Sequence, residues 1–260
     1  MDTRTPLATI VVAVDGPSGS GKSSVSRDVA RQLGLRYLDT GAMYRAMTWW
    51  MLHNGVDVAD AAAVAAAADK PELVSGTDPS GPTVTVDGID VAGPIRGPEV
   101  TGAVSAVSAV PEIRTRLVAM QRAVIGSGGI VVEGRDIGTV VAPGAALKVY
   151  LTASEAARAA RRNAESDDPA TDVNATQADL ARRDALDSGR ATAPLAMAAD
   201  GVLVDTTEMG RDQVVEHLLG LVAKAAGSVG DAAAGASGAG TAGAGAAGAA
   251  VAGHAGEALR

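Results

Sequence analysis

Thr9–Val14 is an almost unbroken β-branched run, the pattern of a strand buried on both faces of a parallel sheet. Further along, Val25, Val29, Ala30 and Leu33 fall on one helical face, and Gly34 is placed to end that helix. Arg36-Tyr37-Leu38 reads as a second strand, ending at Asp39-Thr40-Gly41. Helical spacing resumes through Ala42, Met43, Ala46, Trp49 and Trp50, which read as core positions. Asp60–Ala68 is an alanine-rich helix closed off by Pro71. The texture then changes: Leu73–Asp90 mixes Gly, Pro and Asp with β-branched residues, and Thr83-Val84-Thr85-Val86 alternates before Asp87-Gly88. This predicts an antiparallel hairpin or three-stranded sheet inserted into the main domain.

Two helices follow near Pro98–Val107 and Pro111–Ile125, each with proline in its first turn. Gly129–Val132 and Ala146–Leu151 are further buried-type strands, Ser154 is a helix N-cap, and Glu165–Asn174 reads as a mobile loop. A helix over about Ala175–Leu186, a strand at Gly201–Val204 and a helix over Arg211–Ala223 complete the pattern. Strands alternating with helices call for a five-stranded parallel α/β sheet flanked by helices and joined by right-handed crossovers. The order of its strands is not legible in the sequence. Residues 1–224 form the expected domain, with its core at 9–40, 128–153 and 201–224. Residues 225–260 are nearly all alanine and glycine and read as a disordered tail, because glycine costs roughly 1 kcal/mol per helical position against alanine.

Between the first strand and first helix stands Gly16-Pro17-Ser18-Gly19-Ser20-Gly21-Lys22-Ser23, a match to G-x-x-x-x-G-K-[ST] in strand–loop–helix context. Its glycines let backbone N–H groups turn inward as an anion nest, and the following helix adds its positive end. Gly16, Pro17, Ser18, Gly19, Ser20, Gly21, Lys22, Ser23 and Ser24 are therefore the candidate ATP-binding residues. Lys22 can reach the β- and γ-phosphates, and the Ser23 hydroxyl can ligate the Mg²⁺ that accompanies ATP. A guanine-nucleotide switch would add D-x-x-G and N-K-x-D motifs, and neither appears at the right spacing.

Composition narrows the partners. A net charge of −8 and only 2% aromatic residues argue against a nucleic-acid or anionic-membrane surface. The absence of cysteine excludes disulfides, thiolate zinc sites and thiol catalysis. No run approaches the roughly 18 apolar residues that span a bilayer, and no charged-then-apolar leader precedes the first strand. A cytoplasmic monomer acting on small molecules is expected.

What separates a small-molecule kinase from other phosphate-loop proteins is a set of arginines drawn from several loops onto a second phosphate. The chain has such a set in Arg45, Arg114, Arg135, Arg158, Arg161, Arg162, Arg183 and Arg190, several at or beyond carboxyl ends of predicted strands. Taken by spacing alone, Arg158, Arg161 and Arg162 also suit a solvated helix face, and Asp187 could simply pair with Arg190.

Three further segments carry a family resemblance. Asp39-Thr40-Gly41-Ala42-Met43-Tyr44-Arg45 resembles the D-[ST]-G-x-x-Y-R segment of bacterial cytidylate (CMP/dCMP) kinases, with Thr40 where many relatives have serine. Glu133-Gly134-Arg135-Asp136-Ile137-Gly138-Thr139-Val140-Val141 resembles their [DE]-G-R-D-x-G-T-V-V segment, with Glu133 where aspartate is often found. Asp187 through Leu195 is similar to their D-x-x-R-x-x-A-P-L segment, and the whole correspondence runs from about Ile10 to Val222. The resemblance implies a P-loop nucleoside monophosphate kinase fold with a small antiparallel β insert in an acceptor-binding region (about 41–127) and a helical lid (about 154–174). It implies ATP, CMP and dCMP as substrates. Ser105 and Asp136 would face the cytosine amino group and Arg114 the ring acceptors. Arg45 and Arg135 would hold the CMP phosphate, with Thr40 and Tyr44 close by and Arg183 on the same side. Asp187 would contact the ribose hydroxyls and Arg190 the phosphate. Lys22, Arg135, Arg158, Arg162 and Arg190 would then be the catalytic set.

The histidines His53, His217 and His254 fall in predicted helices or the tail, so no histidine base is in view. A nucleoside monophosphate needs none, since the second pKa of a phosphate monoester is about 6 and its oxygen is already largely ionised. A sugar-type hydroxyl acceptor would want a carboxylate such as Asp39, so a sugar- or shikimate-kinase reading stays open at this stage. So does a nucleotide-switched binding protein with no acceptor.

Overall fold

The computed structural model describes residues 7–164, 172–190 and 192–238, with side chains as far as residue 227. β1 (Val11–Asp15) leads through the glycine-rich loop into α1 (Lys22–Leu33), and β2 (Arg36–Asp39) leads into α2 (Thr40–His53). α3 (Ala61–Ala66) precedes β3 (Leu73–Ser75), β4 (Val84–Val86) and β5 (Ile89–Asp90), and then come α4 (Pro98–Ala109) and α5 (Pro111–Ile125). β6 (Ile130–Gly134) passes through one π-helical turn at Ile137–Val141 to β7 (Leu147–Thr152). α6 (Glu155–Ala164), α7 (Val173–Ser188), β8 (Val202–Asp205) and α8 (Arg211–Gly238) complete the chain.

The main sheet has five strands in the order β2-β6-β1-β7-β8, every pair parallel. β1 lies at its centre, with Asp15 opposite Gly134 of β6 and Tyr150 of β7. Both faces are covered, as the β-branched runs require. On one face α2, α4, α5 and the insert pack through Met43, Met47, Met51, Val107, Ile113 and Leu117. On the other, α1 and α8 pack through Val25, Val29, Val214, Leu218 and Val222. The protein is therefore an α/β P-loop-type fold carrying a separate three-stranded antiparallel sheet.

Local signals set most boundaries. Gly34 is left-handed at φ 65° and ends α1. Asp39 caps α2 by accepting from the Ala42 amide at 2.9 Å, and Pro98 and Pro111 open α4 and α5. Asp87 and Gly88, at φ 51° and 78°, make the tight turn between β4 and β5.

Two boundaries differ from the sequence reading. α7 begins at Val173, capped by Asp172, so the expected loop gives up its last residues to helix; its remainder, 165–171, lies outside the described residues. α8 runs on to Gly238 rather than ending near Ala223. Its first turns are anchored by buried Val214, Val215, Leu218, Val222 and Ala226, and a helix once nucleated extends readily through alanine despite interspersed glycine. Residues 239–260 of the expected tail lie outside the described residues. No helix among the described residues is long and apolar enough to cross a membrane.

Candidate active site

The glycine-rich loop leaves β1 at the carboxyl edge of the sheet, where the chain from β1 turns one way and that from β7 the other. At Gly16, with φ 147°, an added Cβ would sit 2.0 Å from the Leu151 carbonyl oxygen, so the loop can pass β7 only without a side chain. Lys22 is buried and its Nζ donates to the Pro17 carbonyl at 2.8 Å, folded back across the loop. Burial pushes its ammonium pKa down, and the nearby Arg135 guanidinium pushes it further the same way.

Arg135 leaves the end of β6 and reaches this loop directly. Its Nη1 donates to the Gly16 carbonyl at 3.2 Å, its Nη2 to Ser18 Oγ at 2.9 Å, and its Nε to Asp187 Oδ2 at 2.9 Å. Arg158 on α6 donates to the Ser18 carbonyl at 3.0 Å and pairs with Asp184 of α7, whose other oxygen accepts from the Ser18 amide at 3.3 Å. Arg190 pairs with Asp187 at 3.5 Å and donates from Nε to the Asp187 carbonyl at 3.1 Å. Two elements remote in sequence thus bring cations to one phosphate loop, and Arg190 is tied to it through Asp187 and Arg135.

A second group of cations lies towards the insert. Arg45 on α2 donates from Nη1 to the Ile95 carbonyl at 3.0 Å and to Thr101 Oγ1 at 2.9 Å. Burial pulls its pKa below the usual arginine range, followed by the fields of Arg183, Arg162 and Arg96. Burial and then Arg135 do the same to Arg183. Because a guanidinium keeps its proton, these shifts register as electrostatic tension among buried like charges. Neither Arg158 Nε nor Arg183 Nε has a hydrogen-bond acceptor among the described residues. Buried, mutually repelling cations with donors to spare are complementary to a polyanion.

Beside them lies a pair of opposite sign. Arg114 of α5 and Asp136 are ion-paired and buried, and the Arg114 guanidinium stands 5.5 Å from the Tyr44 ring centroid. Arg114 also donates to the Ser108 carbonyl at 3.3 Å, while Ser108 Oγ accepts from Arg190 at 3.4 Å and donates to the Ser105 carbonyl at 3.1 Å. Burial pushes the Tyr44 phenol up to about 12. Tyr44, Ser105, Arg114, Asp136 and Arg190, with 146 positions from the first to the last, are therefore joined in one contact network, Ser105 through its backbone carbonyl.

Glu133, the last charged residue of β6, is buried and accepts from Tyr37 Oη at 2.5 Å. Thr40 Oγ1 donates to the Glu133 carbonyl at 2.7 Å and is itself buried, so this hydroxyl braces β6 from the start of α2. Burial and then the charge of Asp39 raise the Glu133 carboxyl.

A family model described as cytidylate kinase matches residues 12–224. The chain belongs to the cytidylate kinase family. Curated cytidylate kinases from Streptomyces coelicolor and Streptomyces avermitilis are 62% and 60% identical to it, each over 82% of this chain and 92% of theirs. One from Mycobacterium leprae is 51% identical over 86% of this chain and all of its own length. The protein is thus a kinase, and the matched span covers every residue described above as lining the site.

For a cytidylate kinase family member, sequence reading had overlooked Asp15, Asp184 and Arg96. Asp184 stands three residues before Asp187 on α7, so the two carboxylates share a helix face that receives Arg158 and Arg135; that spacing was the available signal. Asp15 and Arg96 gave none. The exposed Ser23 hydroxyl and the buried Glu133 carboxyl are oxygen donors near the phosphate-loop lysine, and such a donor set fits a hard divalent cation shared with substrate phosphates.

Proposed function

We propose that the protein transfers the γ-phosphoryl group of ATP to CMP and dCMP, giving CDP or dCDP and ADP. The observation that carries this reading is the buried Arg114–Asp136 pair standing beside a cationic cluster that joins the acceptor side to the phosphate loop. Cytosine offers an N4 donor beside an N3 acceptor, which suits a carboxylate and a guanidinium side by side. Uracil reverses that pattern, and a carboxylate facing its O4 costs roughly 1–3 kcal/mol or more.

In this reading the triphosphate lies in the Gly16–Ser24 loop with Lys22 swung from the Pro17 carbonyl onto the β- and γ-phosphates. Ser23 would hold Mg²⁺, which when bound neutralises charge on those phosphates. Arg45 and Arg183 take the CMP phosphate, with Arg162 contributing to the field. The acceptor oxygen, ionised near neutral pH, attacks the γ-phosphorus in line as the β–γ bridging bond breaks, and ADP departs with its electron pair. Arg135, already bridging the loop and Asp187, lies between the two phosphates and stabilises the migrating group, with Arg158 and Arg190 on either side. No general base is required. Asp187 then has a carboxylate for the ribose hydroxyls, and Ser105 a place beside the cytosine amino group.

A coupled ADP-release assay with CMP, dCMP, UMP, AMP and shikimate tests the reading. CMP and dCMP should lead by about tenfold or more over UMP. Turnover with AMP or shikimate and none with CMP would overturn it. ATP hydrolysis independent of any acceptor would favour a nucleotide-switched binding protein instead.

A further inference from the structure

The turn that follows β6 is capped from an unexpected place. In this chain aspartates at helix starts cap their own helices: Asp39, Asp60 and Asp172 each accept from an amide two or three residues ahead, all at 2.9 Å. Asp136 stands in the same position before the π-helical turn Ile137–Val141, yet its side chain makes no such bond. The Gly138 amide, two residues ahead of Asp136, donates instead to Asp15 Oδ2 at 2.7 Å, and the Ile137 amide beside it donates to Asp15 Oδ1 at 2.8 Å. Asp15 is 3% exposed and forms no ion pair among the described residues, so these amides are the groups that satisfy its carboxylate. The parallel register that sets Asp15 against Gly134 places that carboxylate beside the chain as it leaves β6.

We propose that Asp15 is a positioning residue: by capping this turn from β1, it leaves the Asp136 carboxylate to Arg114 and hence to the acceptor base. The inference rests on the CMP-kinase reading for what Asp136 recognises. An Asp15→Asn side chain offers one acceptor where two amides need one each, and turns an NH₂ towards a backbone donor. Asp136, at the N-cap position of this turn, can then take the Gly138 amide, and turning onto it draws the carboxylate away from Arg114. Asp15 thereby ties the residue preceding the ATP loop to the segment that reads the acceptor.

The test uses the full-length enzyme as wild type, Asp15→Asn, Asp136→Ala and the double variant, with kcat/KM measured for CMP and UMP. Asp15→Asn should lower the CMP/UMP ratio by about tenfold, mainly through KM for CMP, as expected when one recognition contact is lost. In the Asp136→Ala background the same change should alter the ratio less than about twofold, since residues acting through one another are not additive. An unchanged ratio in Asp15→Asn, or equal losses in both backgrounds, would overturn the proposal. Gly138→Ala provides a second variant if Asp15→Asn does not fold, because its Cβ would press on Asp15 Oδ2 at 3.3 Å; the ratio should fall there too, and no change would count against the proposal. If wild type shows no preference for CMP, the acceptor assignment fails. A crystal structure of Asp15→Asn then decides the positioning role alone: Asp136 turned onto the Gly138 amide supports it, and Asp136 still on Arg114 refutes it.

Discussion

Replacing Arg45 by methionine separates recognition from folding. The side chain is half-buried, and its Nη1 donates to the Ile95 carbonyl and Thr101 Oγ1 at 3.0 and 2.9 Å. Its charge sits in the field of Arg183, Arg162 and Arg96, all of the same sign. In the ligand-free protein the substitution loses two hydrogen bonds, at about 1 kcal/mol each, but it also relieves like-charge repulsion in a desolvated cluster. These effects oppose one another, so stability should change by less than about 1 kcal/mol, which for a domain of this size moves Tm by no more than about 4 °C. With the CMP phosphate bound the balance reverses, because the same charges now face an anion. Removing one charge-assisted contact of about 1.5–3 kcal/mol should lower kcat/KM for CMP by about 10- to 150-fold. Steady-state ADP release with varied CMP and varied ATP, alongside thermal melts with and without CMP, measures both sides. A melt lowered by more than about 8 °C with KM for CMP unchanged would show that Arg45 is a clip holding the Ile95–Thr101 segment rather than a ligand for phosphate.

Lys22→Met should reduce kcat by about a thousandfold, the scale of losing one preorganised charge at the migrating phosphoryl, while titration calorimetry still detects CMP binding. Loss of CMP binding in the same variant would contradict the division into donor and acceptor halves. Burial raises the Asp15 pKa to about 6 from 3.8. Between about pH 4 and 6 the native state therefore holds a proton that the unfolded state has released, and stability falls as pH rises through that window, by at most about 3 kcal/mol. Denaturation from pH 4 to 7 should give the wild type a steeper fall than Asp15→Asn, which keeps the contribution of the raised Glu133 carboxyl; parallel curves would refute it. Finally, because Ala226 is the last core residue of α8 among those whose side chains are described, truncation after Gly227 should leave turnover intact and Tm within about 2 °C, whereas loss of turnover would assign the alanine–glycine segment a role in the enzyme.

Local chemistry made the elements legible in advance. The β-branched runs gave the strands of the main sheet, Gly34 and the prolines gave helix ends, and Asp87-Gly88 gave the insert its turn. The phosphate loop was legible for the same reason, since its function resides in consecutive backbone amides and one lysine. The end of α8 was misread because composition weighed glycine against alanine without the anchoring that its first turns receive from the core.

What the sequence by itself determined, then, was most of what is set within a few residues: the main elements, the loop chemistry and the three segments that mark the family. The tertiary structure alone decided the strand order β2-β6-β1-β7-β8, and with it which distant side chains meet. Spacing left Arg158 equally suited to a solvated face, yet the fold buries it against Ser18 and Asp184. Asp187 pairs with Arg190, as its spacing allowed, but also with Arg135 from 52 residues away. Asp15 carried no signal, because its partners are amides 122 and 123 residues further on. Charge and hydrogen-bonding capacity are written in the residue, but whether a buried group finds a partner depends on what the chain brings back beside it.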